Sequence, residues 1–153
     1  MSVPDIEKFL FDERSRPLAF LCSSARSVND MITWIEGNTN GEQFVQIFRH
    51  DEAIIDLLLP AYLNAVERYK WGMLRTKDLA HEMLVLVART FDTHKAISSF
   101  GADSNSEFIA FAAGGPIFEK FSKENSVKAI KEYKLALSED AASEINSFLL
   151  MQK

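Results

Sequence analysis

Residues 108–113 read Phe108-Ile109-Ala110-Phe111-Ala112-Ala113, and the turn formers Gly114-Gly115-Pro116 follow directly. A short, wholly apolar run that ends at glycine and proline is typical of a buried β-strand. Proline is favoured at the first position of a helix, because its missing N–H is not needed there. This stretch therefore predicts a strand followed by a helix, in a fold that contains a β-sheet.

Two earlier segments also predict strands, Leu18–Cys22 after Pro17 and Phe44–Phe48 after the loop 37–41. Apolar residues elsewhere recur at helical spacing. Helices are predicted at 4–11, from Ser27 or Asn29 to about 35, from Asp51 to Gly72 with a kink or break near 57–60 at Pro60, from Lys77 or Asp78 to about 87, and at 92–99, 117–123, 127–134 and 139–151. The expected fold class is α/β (α+β), a small mixed sheet of about three to four strands packed with roughly seven helices, in a single domain over residues 1–153.

The composition is that of an ordinary globular domain, with 153 residues of which 47% are hydrophobic and 25% charged. The charge balance is acidic, because 17 Lys and Arg against 22 Asp and Glu give −5 at pH 7. Nucleic-acid binders usually carry a basic excess, since neutralising phosphates supplies most of their affinity. Any nucleic-acid contact is therefore expected from a local basic patch.

Cys22 is the only cysteine, so one chain can build neither a disulfide framework nor a thiolate zinc site. The N-terminal residues lack the long apolar stretch of a secretion signal. The longest apolar runs, such as Ala53–Leu59, are far shorter than a membrane span. These features predict a cytoplasmic protein without a membrane partner.

The sequence offers little catalytic chemistry. His81-Glu82 begins like the zinc-protease motif, but Val85 stands where the second histidine ligand is required. Cys22 lies in an apolar strand, which favours a buried thiol over a nucleophile. We expect a non-catalytic protein without a cofactor or metal. The alternative is a small hydrolase or transferase with its site around His81 and Glu82 or Cys22, whose side chains would then line an accessible pocket.

A basic patch is the most informative functional feature. Its cations and aromatic residues alternate along the chain, as Arg68, Tyr69, Lys70, Trp71, Arg75 and Lys77, with Arg89, His94 and Lys95 further on. Cations beside aromatic faces are what contacts to single-stranded nucleic acid use. The alternative is a solvated helix face followed by a polar turn between two helices.

Three segments hold more large apolar side chains than a small sheet needs, namely Ala53–Leu59, Leu79–Val87 and Phe148–Met151. Surplus apolar surface of this kind either forms an interface with a partner or closes the protein's own core. The sequence leaves both possibilities open.

The order of motifs from Ala61 to Ala113 is distinctive. A helix ends in an aromatic residue and glycine at Trp71-Gly72. A short segment with basic residues follows at 74–77, and the apolar helix after it carries the internal glutamate Glu82. A short helix then ends at Phe100-Gly101, and a hydrophobic strand closes the block. This order resembles the kinase-binding CGI-family (TPRKB-like) subunit of the KEOPS complex, also called EKC. The order of elements agrees over nearly the whole chain.

The resemblance implies a non-catalytic accessory subunit. Its partners would be the small atypical protein kinase/ATPase of KEOPS, indirectly the threonylcarbamoyl-transferase subunit, and the 3′ CCA end of tRNA. The tRNA-binding residues are predicted from the basic patch, as Tyr69, Trp71, Arg75, Lys77, Arg89, His94 and Lys95, whereas the kinase contacts are not assigned. A pure protein–protein interaction module without an RNA role is the other alternative, and the net acidity favours it.

The chain departs from the family pattern after the apolar helix. Where the family usually has Ser-Gly-x-Arg-Gln-Ile, this chain has residues 88–93, so that Arg89 replaces the glycine and Phe91-Asp92 replace the arginine–glutamine pair. An RNA contact made by those family residues would shift here to Arg89, His94 and Lys95.

Overall fold

The structure is a computed structural model, and it describes residues 16–103 and 107–151. The helix predicted at 4–11 lies outside the described residues. The elements are β1 (Pro17–Ser24), α1 (Val28–Asn38), β2 (Val45–Arg49), α2 (Ile55–Lys70), α3 (Leu79–Ala88), α4 (Thr93–Phe100), β3 (Glu107–Ala113), α5 (Gly115–Glu124), β4 (Val127–Tyr133) and α6 (Glu139–Leu150), with a 3-10 turn (Glu52–Ile54) before α2. The predicted fold class is confirmed, with four strands and six α-helices in the described residues.

The strands form one sheet in the order β2-β3-β1-β4. All three pairings are antiparallel, so the sheet is antiparallel throughout rather than mixed. The strand from which the fold was predicted, β3, lies between β2 and β1 and is the most deeply buried of the four. From Phe108 to Ala113 its side chains are apolar on both faces, as a strand covered on both sides requires.

Neighbouring residues on β1 and β3 show what covers each face. Ala19 pairs with Phe111 and Phe20 pairs with Ala110, so Phe20 and Phe111 point to opposite faces. Phe20 stacks on Phe118 of α5 with ring centroids 4.3 Å apart. Phe111 contacts Tyr62 of α2 at 5.2 Å. The sheet is therefore the middle layer between α5 on one face and α2 on the other.

The remaining helices are positioned by their packing against these layers. Trp34 of α1 makes an edge contact with Phe121 of α5, with ring centroids 5.3 Å apart. Gln46 of β2 lies on the same face as Phe111 and donates to the carbonyl of Ala80 in α3 at 2.8 Å. Thus α3 lies beside α2 on one face of the sheet, and the apolar side chains of both helices enter the same core.

Side-chain caps start the helices where the sequence predicted. Ser27 accepts from the N–H of Asp30 at the start of α1, which decides between Ser27 and Asn29. Asp78 accepts from the N–H of His81 at the start of α3, which decides between Lys77 and Asp78. Asp92 and Ser138 cap α4 and α6 in the same way. Each cap satisfies a backbone donor that the first helical turn leaves free.

Of the kink or break expected near 57–60, the break is wrong, because Pro60 does not interrupt α2. The helix is continuous from Ile55 to Lys70, with Pro60 at its sixth position. Only the hydrogen bond to the carbonyl of Asp56 is lost to the proline. Residues 57–62 are all buried, and their packing holds the helix together across that gap.

The helix predicted at 127–134 is wrong, because residues 127–133 form the edge strand β4. Its lysine, alanine and glutamate residues favour a helix, but its backbone pairs with β1, for example Tyr133 with Ala19. Ser126, at φ 52°, reverses the chain directly after α5 and leaves β4 beside β1. The hydroxyl of Tyr133 then donates to Glu52 at 2.9 Å. Pairing with the sheet outweighs the local propensity.

Among the described residues, no helix is both long and apolar enough to cross a membrane.

Replacing Phe111 by alanine should lower the free energy of unfolding by about 3–5 kcal/mol, because the ring is fully buried and leaves a cavity in the core. Urea denaturation measures this change. The matched control is Ile130→Ala on β4, where the side chain is half exposed and the expected loss is about 1 kcal/mol or less. Equal losses in the two variants would contradict the central position of β3.

Candidate functional site

A buried carboxylate organises the turn between α2 and α3, which we call the basic turn (residues 71–78). Glu82, in the first turn of α3, is fully buried. Its Oε2 accepts from Nε of Arg68 at 2.8 Å. Its Oε1 accepts from the hydroxyl of Thr76 at 2.8 Å and from the N–H groups of Arg75 and Thr76 at 3.1 Å each. One carboxylate therefore satisfies four donors from the segment 68–76.

Gly72 and Arg68 shape the start of the basic turn. Gly72 has φ 66°, a left-handed conformation that glycine adopts without steric cost. The N–H of Met73 donates back to the carbonyl of Arg68 at 2.8 Å. The guanidinium of Arg68 in turn donates to the carbonyl of Met73 at 3.2 Å. Two hydrogen bonds between Arg68 and Met73 therefore fix the start of the turn.

The ring of Phe91 supports the basic turn from the other side. The guanidinium of Arg75 lies over this ring, 4.2 Å from its centroid, and that of Arg68 lies 5.7 Å away. Phe91 also contacts Phe148 of α6, with ring centroids 5.1 Å apart. Cations over aromatic faces attract the negative face of the ring. Phe91 therefore connects the basic turn to the C-terminal helix.

The two aromatic residues predicted for RNA stacking are exposed. Trp71 is 74% exposed and Tyr69 is 40% exposed, at the end of α2. Met73 beside them is also exposed. Large apolar side chains at these positions are available to a partner, which fits a binding role better than a core role.

The predicted cations differ in how freely they can meet a partner. Lys77 donates to Glu36 of α1 at 2.5 Å, and this hydrogen bond raises the pKa of Lys77 above its ordinary value. Arg89 forms an ion pair with Glu144 of α6. His94 and Lys95 are exposed on the first turn of α4.

The structure brings two of the predicted segments together. The contact of Arg75 with Phe91 places the basic turn against residues 89–92, and Asp92 caps the helix that begins with His94 and Lys95. Arg89 ends α3 at φ 54°, the left-handed conformation for which glycine is the usual residue. This is the position where the family pattern has glycine.

Sequence reasoning missed the roles of Glu82 and Phe91. Glu82 was weighed as a catalytic residue and as part of the family motif order, and Phe91 only as a departure from that pattern. The available signal was a glutamate at an otherwise apolar helix position, which in a core demands compensating donors. Basic residues in the preceding turn could have supplied them.

The alternative site around Cys22, His81 and Glu82 has little geometric support. Cys22 is fully buried, and burial raises its pKa to about 12. The buried carboxylate of Glu82 already accepts four hydrogen bonds from Arg68, Arg75 and Thr76. The ring nitrogen Nδ1 of His81 lies 2.7 Å from Asp78. Burial raises the pKa of Asp78, but the side-chain and backbone hydrogen bonds from His81, together with the charges of His81 and Lys77, outweigh burial, so that the pKa is lowered. In residues 16–103 and 107–151, no three His, Cys, Asp or Glu side chains are placed to hold a metal ion.

The surplus apolar segments mostly close the core. Leu57–Leu59 and residues 79–87, apart from His81, are buried. At the end of α6, by contrast, Leu150 is 63% and Met151 81% exposed. A cleft of about 700 Å³ lies beside this end and is lined by Arg89, Thr90, Phe91, Ser143, Glu144, Ser147, Phe148 and Met151.

No protein-family model matches the chain, and no curated protein sequence matches it. The resemblance to the KEOPS subunit stays a prediction from the motif order.

Cys22 should not react with a disulfide reagent such as dithionitrobenzoate at pH 8 while the protein is folded. With a pKa of about 12, roughly one thiol in 10⁴ is ionised at that pH, and the thiolate is the nucleophile. Absorbance at 412 nm follows the reaction, which should appear only as urea unfolds the protein. The control is the double variant Cys22→Ser, Ser99→Cys, whose single thiol is exposed and should react at once. Rapid labelling of Cys22 in the folded protein would revive the alternative of a reactive thiol.

Proposed function

We propose that this protein is a non-catalytic accessory subunit of the KEOPS complex, acting in the cytoplasm. It binds and regulates the small atypical kinase/ATPase of that complex, and through it contacts the threonylcarbamoyl-transferase subunit. It also helps to recruit tRNA by its 3′ CCA end for threonylcarbamoyladenosine modification. The observation that carries the proposal is the basic turn, which presents exposed Trp71 and the cations Arg75 and Lys77 from one fixed loop.

The left-handed residue Arg89 supports the alignment on which the family resemblance rests. The left-handed residue that ends a helix is usually glycine, and the family pattern has glycine at the position of Arg89. Arg89 keeps that conformation and adds a cation. A glycine at this position would fit the same left-handed backbone, although its side chain differs from that of Arg89.

The tRNA contact fits single-stranded RNA better than a duplex. Trp71 and Tyr69 offer aromatic faces on which unpaired bases can stack. The nearby cations offer charge for the phosphates of a short strand. The basic area is local, since the whole chain has a charge of −5, so the affinity of this subunit alone is expected to be weak and to add to that of its partners.

The kinase contact is assigned to the end of α6. Leu150 and Met151 are exposed large apolar residues at the end of a helix, and Phe148 beside them is only partly buried. Apolar side chains of this kind form the centre of protein–protein interfaces. The cleft next to them gives a partner side chain room to insert.

A pure protein–protein module is the second candidate. The observation that favours it is the ion pairing of the patch, because Lys77 is bound to Glu36 and Arg89 to Glu144. Paired cations attract phosphate less strongly than free ones. Stable association with the kinase, together with no change of tRNA affinity when this subunit is added, would select this candidate.

Charge reversal at Arg75 and Lys77 together should weaken tRNA binding and flatten its salt dependence. Two lost contacts to single-stranded phosphates lower the slope of log K against log salt by about 1.4. Fluorescence anisotropy of a labelled tRNA at several salt concentrations measures both effects. The control is charge reversal at Lys128 and Lys131, exposed on β4, which changes the net charge equally. Equal affinity of wild type and the Arg75, Lys77 variant would rule out the patch.

Replacing Leu150 by aspartate should abolish co-elution with the KEOPS kinase of the same organism in size-exclusion chromatography. A charge at a buried interface position is costly to desolvate. The matched control is Ile130→Asp, a half-exposed apolar residue on β4, which should leave the complex intact. Co-elution of the Leu150→Asp variant with the kinase would show that the kinase binds another surface of this protein. Failure of the wild-type protein to co-elute would overturn the accessory-subunit proposal.

A further inference from the structure

The basic turn has few internal supports of its own. Residues 71–78 belong to no helix or strand. The N–H groups of Arg75 and Thr76 donate to no backbone carbonyl of the turn, and both point to the same oxygen of Glu82. The conformation that presents Arg75 is therefore set by a side chain of α3.

A carboxylate is the one side-chain group that suits this place. Both oxygens of an ionised Glu82 only accept, and the four surrounding groups only donate to it. An amide in its place would direct an NH₂ group either at the guanidinium of Arg68 or at the two backbone N–H groups of the turn. Either orientation leaves donors facing donors in a buried site, where an unmade hydrogen bond is costly.

We infer that Glu82 is a positioning residue for tRNA binding. It holds the backbone at 75 and 76 so that the guanidinium of Arg75 lies over Phe91 with its edge available to phosphate. Glu82 itself is buried and touches no RNA. This inference rests on the proposed function, because it assigns a role in the same RNA contact.

The sign of the effect separates positioning from simple electrostatics. Replacing Glu82 by glutamine removes one negative charge next to the proposed phosphate site. Electrostatics alone would then tighten tRNA binding. Positioning requires the opposite result, because the turn loses the acceptor that fixes Arg75. A role in folding alone changes stability and leaves the affinity of the folded protein as it was.

The experiment is a double-mutant cycle of Glu82→Gln and Arg75→Gln, with tRNA affinity measured by anisotropy below the melting temperature of every variant. Glu82→Gln is expected to weaken binding by roughly three- to tenfold, and to have little further effect when Arg75 is already glutamine. The control is Glu67→Gln, an exposed residue of α2 with the same change in charge. The Glu67→Gln variant should bind tRNA as tightly as the wild type or slightly more tightly.

Hydrogen exchange of the free protein gives a readout that needs no RNA. The amides of Arg75 and Thr76 should exchange faster in Glu82→Gln, while those of β3 remain protected. Unchanged exchange at these two amides would overturn the positioning role itself. Faster exchange with unchanged tRNA affinity in both Glu82→Gln and Arg75→Gln would instead show that the proposed RNA function fails, and the inference with it.

A milder variant covers the case in which Glu82→Gln does not fold. Thr76→Val keeps the shape of the side chain and removes its hydroxyl, which donates to Glu82 at 2.8 Å and lies 3.1 Å from the carbonyl oxygen of Asp78. It should weaken tRNA binding by about twofold and increase exchange at the amide of Thr76. For Glu82→Gln or Thr76→Val, tRNA binding tighter than that of the wild type would overturn the inference. A loss of affinity that adds in full to the loss caused by Arg75→Gln would overturn it as well.

Discussion

The ion pair between Arg68 and Glu82 is the interaction on which the basic turn and its two flanking helices depend. Removing a carboxylate from water costs several kcal/mol unless charge and hydrogen bonds compensate it. Here Arg68 supplies the charge at 2.8 Å, and Arg75 and Thr76 supply the remaining donors. Because all the compensation comes from the end of α2 and the basic turn, α3 can be buried only when that turn is correctly folded.

The sheet provides the rigid support for this arrangement. Phe111 on β3 packs against Tyr62 of α2, and Gln46 on β2 binds the backbone of α3 at Ala80. Both helices that flank the basic turn are therefore fixed to the same face of the sheet. A turn held between two fixed helix ends loses little entropy when a partner binds, and pre-organisation of this kind favours affinity.

The sequence was most informative where a structure follows from local chemistry. The caps Asp78 and Asp92 lie directly before the helices they start, so that helix positions could be predicted without knowledge of the fold. The strand β4 could not be predicted in this way, because its residues favour a helix and only pairing with β1 makes it a strand. For Glu82 the sequence offered the need for compensating donors but not their identity, since Arg68 becomes its neighbour only when α2 packs on α3.

The cations of the patch fall into two groups that a net charge cannot distinguish. Arg68 is held by a buried carboxylate, and breaking that pair would leave Glu82 uncompensated in the core. The partners of Lys77 and Arg89 are Glu36 and Glu144, whose side chains are 42% and 57% exposed. Exposed pairs of this kind contribute only about 0–1 kcal/mol, so Lys77 and Arg89 are held much less firmly than Arg68. Under the proposed function, Lys77 and Arg89 are therefore the cations that can exchange a glutamate for a phosphate of tRNA, while Arg68 stays bound to Glu82.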